Sequence, residues 1–143
     1  MCTYVNHGQQ RVWAGGMPSL AARLKRLREL TINPEDGEPY SLREVAKRIT
    51  AAGTPITDAY LSLLETGRRK SISVDKAVGI AGFYGVPVEY MREGPDEELL
   101  QAVESQLCLF RRVAELPPEA RRRIARAIER ERQEHGLPFD PGV

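Results

Sequence analysis

The chain has 143 residues, 41% of them hydrophobic and 29% charged, with a formal net charge of +1. That balance suits one ordinary soluble domain with an appendage, excludes disorder throughout, and argues against a histone-like, purely electrostatic binder. Two cysteines make no disulfide framework, no run approaches the ~18 apolar residues of a membrane span, and the first residues lack a signal-peptide pattern. The expected setting is the cytoplasm, with no membrane contact. Charge is uneven: residues 19–94 carry 12 Lys/Arg against 10 Asp/Glu, and residues 95–143 carry 8 against 10, so any polyanion-binding surface must be local.

Residues 1–18 show no hydrophobic periodicity, include the pair Gly15-Gly16, and read as a flexible N-terminal arm; Met17 is a second candidate start. Ser19 is an N-cap for a first helix running to about Leu30, with Leu20, Leu24, Leu27 and Leu30 on one stripe and Arg23, Lys25, Arg26 and Arg28 facing mostly elsewhere. Thr31 to Tyr40, with two prolines and a glycine, is a loop, and a long one for this position.

Ser41 and Glu44 form a capping box that opens a second helix burying Leu42, Val45, Ala46 and Ile49. Gly53 ends it, Pro55 forbids continuation, and Thr57 caps a third helix whose inward face is Leu61, Leu64 and part of Tyr60. Gly67 ends that helix, and Arg68-Arg69-Lys70 follow. Ser73 caps a fourth helix with Val74, Ala77, Val78, Ala81 and Tyr84 inward, and Pro87 opens a short fifth.

Two helices joined through a glycine-containing turn, with cations just past the second, have the layout of a helix-turn-helix, which offers its second helix to the DNA major groove. The capped second helix, Tyr60-Leu61-Ser62, Leu64-Glu65 and Gly67-Arg68-Arg69 carry a closer likeness. Through them the chain resembles the xenobiotic-response-element (lambda-repressor-like) helix-turn-helix family, and within it the small actinobacterial regulators with a C-terminal helical dimerisation region. The resemblance covers roughly residues 19–136. It implies an all-α chain: a five-helix DNA-binding domain over residues 19–94, then a two-helix dimerisation hairpin over 95–136 and a tail over 137–143. It further implies a dimeric transcriptional regulator that binds double-stranded DNA with a sequence bias. The recognition helix spans about residues 57–66.

Position by position, Thr57 opens that helix, and Asp58, Ala59, Ser62 and Leu63 fall where the family reads bases. Tyr60, Arg68, Arg69 and Lys70 fall where it meets backbone, and Arg43 near the start of the second helix is a further phosphate contact. Many relatives carry Gln at the start of the recognition helix, because Gln pairs bidentately with adenine. Here Asp58 and Ala59 stand instead. Asp58 either accepts from a cytosine amino group or only favours the positive helix end. Tyr60 reads equally as core and as a phosphate contact. Glu65 is expected to pair with Lys47 or Arg48.

Beyond Gly94, Leu100, Val103, Leu107, Phe110 and Ala114 recur at three- and four-residue steps, and Pro117-Pro118 start another helix with Ile124, Ala127 and Ile128 on its apolar face. This hairpin has more apolar surface than two helices bury. Leu100, Val103, Leu107, Phe110, Ile124 and Ile128 are therefore the candidate dimerisation residues. Cys108 is expected in the core and His135 at a helix cap. The run Arg121-Arg122-Arg123-Arg126-Arg130 reads as a solvated face offset by glutamates rather than a second phosphate-binding face. Cys2 and His7 have no second pair to complete a metal site, and no nucleophile motif or phosphate-cradling loop is present, so neither enzyme activity, metal nor cofactor is expected. The competing reading is a protein-interaction adaptor or antitoxin-like module on the same scaffold, with the helical tail capturing a partner.

Overall fold

The computed structural model describes residues 18–92 and 94–137 in full and, of residues 1–17, the backbone of 3–7 and 10–14. Six α-helices make up the described body: α1 (Leu20–Leu30), α2 (Leu42–Ala51), α3 (Asp58–Glu65), α4 (Val74–Tyr84), α5 (Glu97–Ala114) and α6 (Pro118–Glu134). No described helix is long and apolar enough to cross a membrane. Where the sequence suggests an arm without regular structure, Thr3–His7 and Gln10–Ala14 pair as antiparallel strands β1 and β2, in register from Thr3 opposite Ala14 to His7 opposite Gln10. Cys2 and residues 138–143 lie outside the described residues.

Caps set the helix starts. The hydroxyl oxygens of Ser19, Ser41 and Thr57 accept backbone N–H bonds from Ala22, Glu44 and Tyr60, and the Glu44 carboxylate accepts the Ser41 N–H at 2.8 Å, completing the predicted capping box. Asp96 caps α5 by accepting the Leu99 N–H. Ser73 occupies the N-cap of α4, but its side chain makes no capping bond. The expected fifth helix is one 3-10 turn, Val88–Met91, because the six residues between Pro87 and Gly94 are too few to propagate an α-helix.

The core gathers Leu24 and Leu27 of α1, Val45 and Ile49 of α2, Leu61 and Leu64 of α3, Ile80 and Phe83 of α4, and Tyr90 and Met91 of the 3-10 turn. Each fully buried aliphatic or aromatic side chain contributes about 1.5–3 kcal/mol. Helix α4 faces this core differently from its expected register. Val74 and Val78 are exposed, while Ile80 and Phe83 are buried beside Ala77 and Ala81. The stretch VDKAVGIAGFY is apolar on more than one side, so spacing alone allows two registers. Tyr40 decides between them: it is buried from the loop side and stacks edge-on to Phe83 at 5.4 Å.

Arg23 also departs from its expected solvent-facing place. It is 2% exposed, donates to the carbonyls of Tyr90 and Arg92, and lies over the Tyr90 ring at 5.1 Å. Burial lowers its pKa, yet the guanidinium satisfies the carbonyls that end the 3-10 turn. Helix α5 packs back on the same body. Leu100, Val103 and Leu107 enter the chain's own core, and Glu104 accepts from Arg26 of α1 and from Arg111 at 3.2 Å. The three leucine and valine positions assigned to dimerisation are thus buried inside one chain.

The loop after α1 is folded rather than loose. Asn33 is buried, its N–H donates to Glu38, and its carbonyl accepts from Gly37, whose φ is +75°. The start of α6 sits on this loop. Arg121 donates to the Gly37 carbonyl, to Ala114 at 3.1 Å and to Glu38 at 3.0 Å, so it is a clamp and not part of a solvated face. Past that first turn, no α6 residue is fully buried. Cys108, expected in the core, is exposed.

Candidate nucleic-acid interface

The helix-turn-helix is assembled by a short-range network. Gly53, at φ +113°, lets the chain leave α2, and the Thr54 N–H returns to the Ile49 carbonyl at 3.2 Å. The Thr50 hydroxyl donates to the Ile56 carbonyl at 3.0 Å and accepts the Ile56 N–H at 3.2 Å. This clamp delivers Ile56 into the core and Thr57 to the cap of α3. Nothing in hydrophobic spacing signals it, because a threonine late in a helix looks like any half-polar position. Helix α4 braces the turn from behind: a Cβ added at Gly79 would lie 2.7 Å from the Thr54 hydroxyl oxygen.

Two faces result on α3. Leu61 and Leu64 are buried in the core. Thr57, Asp58, Ala59, Leu63 and Thr66 are exposed, and Ser62 is half-buried beside them. Asp58 lies in the first turn, where its carboxylate meets the positive end of the helix and accepts the Ala59 N–H at 2.9 Å.

The cations assigned to backbone contacts are solvent-facing. Arg43, Arg68, Arg69 and Lys70 are all exposed. Past the end of α3, Gly67 adopts φ +75° and the Arg69 N–H returns to the Leu63 carbonyl at 3.0 Å, which fixes where Arg68 to Lys70 leave the helix. Tyr60 follows its core reading in part. It is half-buried against the core, its hydroxyl is buried without a hydrogen-bond partner among the described residues, and its ring lies 4.8 Å from the Arg69 guanidinium carbon. A second cation, Lys76 of α4, lies 4.6 Å from the same ring. Sequence spacing misses Lys76, since only the fold brings the first turn of α4 beside the first turn of α3. Among the described residues, no hydrogen bond or ion pair joins Arg43 to this group.

Glu65 pairs neither with Lys47 nor with Arg48. Its carboxylate accepts from Nε and Nη2 of Arg28 at 3.0–3.2 Å, and Arg28 also donates to the Tyr40 carbonyl at 3.3 Å. The hydrogen bond to Glu65 raises the Arg28 pKa. Arg48 instead lies over the Tyr40 ring at 5.2 Å. The end of α3 is therefore tied to α1, not to α2.

Of the candidate dimerisation residues, Phe110 and Ile128 are exposed and Ile124 is half-buried. Ile124, Ala127, Ile128 and Leu137 line a shallow apolar groove along α6. His135 is the C-cap residue of α6, as expected.

No protein-family model matches the chain. The chain is similar to the nucleoid-associated protein EspR of Mycobacterium tuberculosis, in strains CDC 1551 and ATCC 25618. The identity is 28% over 128 residues, which cover 83% of this chain and 96% of EspR.

Proposed function

We propose that the chain is a DNA-binding regulator that acts at the nucleoid as a dimer, with α3 in the major groove and a bias for certain duplex sequences. The observation that carries this reading is the division of α3: Leu61 and Leu64 are locked in the core, while Thr57, Asp58, Ala59 and Leu63 stand in solvent, as do Arg68, Arg69 and Lys70 just past the helix and Arg43 on α2. Similarity to a nucleoid-associated protein along nearly all of that protein's length supports a role on DNA.

Ala59 and Leu63 suit contact with thymine methyl groups, and Asp58 suits acceptance from a cytosine amino group. Arg43, Arg68, Arg69 and Lys70 suit phosphates, which fix register without reading sequence. Four phosphates per protomer in a dimer give a slope of log affinity against log salt of roughly −7. That is strong salt dependence for a near-neutral chain. Dimerisation is supported by α6, which buries no residue fully, and by Phe110 and Ile128, which stay exposed.

Gel shifts on a randomised duplex library test the proposal. Arg68→Ala is expected to weaken binding about equally on all sequences, and Asp58→Ala to change which sequences are selected. No shift of any duplex at low salt refutes it.

A further inference from the structure

We propose that Arg69 and Lys76, both held against the ring of Tyr60, close on a single DNA phosphate at the flank of the recognition helix. This inference rests on the duplex-binding reading above. The three residues come from three stations of the fold: Tyr60 from the first turn of α3, Arg69 from the segment after it, and Lys76 from the first turn of α4. The two cationic groups lie 4.8 and 4.6 Å from the same ring centroid. The electron-rich face of a tyrosine attracts a cation, so the ring gives both long side chains a preferred resting place.

What distinguishes this ring is that it holds two cations, neither of them paired with a carboxylate among the described residues. Of the other packed cations, Arg26 meets Glu104 and Arg28 meets Glu65, Arg23 is met by carbonyls, and Arg48 is a single cation over the Tyr40 ring. Among the described residues neither Arg69 nor Lys76 makes an ion pair, and the side-chain hydrogen bond of Arg69 goes to the Ser71 carbonyl at 3.3 Å. Two like charges, each within 5 Å of one ring centroid, repel each other, and an anion that both heads reach would offset that repulsion. Arg69 is exposed and Lys76 half-exposed, so both heads reach solvent. The N-terminus of the eleven-residue helix α4 adds a partial positive charge at the same place, set against Asp75 in its first turn, and its cap residue Ser73 has no side-chain capping bond. An anion one negative charge strong, repeated along a strand that a groove-bound α3 would lie beside, is a phosphodiester.

Tyr60 is the positioning residue, acting through its ring. Its buried hydroxyl has no partner among the described residues, so phenylalanine should serve equally well.

The test is titration of a labelled duplex of fixed sequence with the full chain over a range of salt. Arg69→Gln with Lys76→Gln together is expected to weaken binding about 8-fold per bound protomer at 0.1 M salt and to flatten the salt slope by about 0.9 per protomer. Each single substitution should cost less than half of that on a logarithmic scale, because the remaining cation still faces the phosphate. Tyr60→Leu should lower affinity, and Tyr60→Phe should restore it. An unchanged slope in the double variant overturns the clamp, and a loss near 1.8 per protomer assigns two separate phosphates and overturns the sharing. A Tyr60→Phe variant as weak as Tyr60→Leu overturns the role of the ring. If Tyr60→Leu melts too low to assay, the glutamine variants decide the clamp alone. Failure of the unsubstituted chain to bind any duplex sinks the DNA reading itself, whereas binding that the double variant leaves untouched sinks only the clamp.

Discussion

Arg28 and Glu65 meet through three hydrogen bonds of 3.0–3.2 Å, and this pair joins the last turn of α1 to the last turn of α3. Their side chains are 20% and 9% exposed, so the charges are well shielded from water. Such a pair adds less than its geometry suggests, because desolvation offsets much of the attraction, but removing one partner strands the other. Glu65→Ala is expected to cost about 2 kcal/mol and to lower the melting temperature by roughly 6–10 °C. Arg28→Ala should cost at least as much, since the Tyr40 carbonyl also loses its donor. Thermal melts followed by circular dichroism check both, and an unchanged midpoint would remove the pair from any account of how α3 is held.

The docking of α6 depends on a glycine. A Cβ at Gly37 would lie 2.0 Å from the Pro118 carbonyl oxygen, a backbone atom that cannot step aside, and the position is at φ +75°. Gly37→Ala therefore adds a clash to an unfavourable left-handed backbone, which alone costs about 1–2 kcal/mol. The expected outcome is release of the start of α6, with α1 to α4 intact. Hydrogen exchange should show faster opening across residues 118–134 and little change in α2 and α3. Arg121→Ala should move in the same direction by less, since it removes the contacts to Gly37, Ala114 and Glu38 without a clash.

Local grammar made most of the helix-turn-helix legible. The Ser41–Glu44 box, the Thr57 cap, the glycine stops and the inward Leu61 and Leu64 all follow from rules that act within a few residues. The misreadings are long-range. Arg23 sits among leucines and looks like a solvent-facing cation until the Tyr90 and Arg92 carbonyls arrive from the far side of the chain. Glu65 found Arg28, 37 residues away, and not the nearer cations of α2. The same limit governs the candidate site: the exposed face of α3 was visible in the spacing, but Lys76 beside Tyr60 was not. Cys108 shows the converse error, because an apolar-looking residue inside a heptad pattern need not be on the buried stripe.

Alkaline pH should destabilise the fold through two tyrosines. Burial raises the pKa of Tyr84 and Tyr90 above the ordinary value of 10.0, with Glu65 adding to the effect at Tyr84 and Glu104 at Tyr90. Above about pH 10 the unfolded chain loses these protons while the folded chain keeps them. The unfolded state then binds fewer protons, so stability falls as pH rises. The slope should approach about 1.4 kcal/mol per pH unit for each tyrosine and be absent between neutrality and pH 9. Urea unfolding at a series of pH values checks this, with Tyr84→Phe expected to reduce the alkaline loss.

Buried and exposed apolar positions separate cleanly on α5, and one comparison tests what each does. Leu107 is 5% exposed and belongs to the chain's own core, whereas Phe110, one turn further on, is 42% exposed. Leu107→Ala should lower stability by about 2–4 kcal/mol at any protein concentration, because it opens a cavity within the protomer. Phe110→Asp places a charge where little apolar area is buried in the single chain, so it should leave the unfolding of the dilute protomer almost unchanged. If Phe110 and Ile128 meet a second copy, Phe110→Asp and Ile128→Asp should halve the light-scattering mass at roughly tens of micromolar, and should make melting independent of concentration. A monomeric mass for the unsubstituted chain under the same conditions rejects the dimer, and the exposed side of α5 and α6 would then need a different occupant.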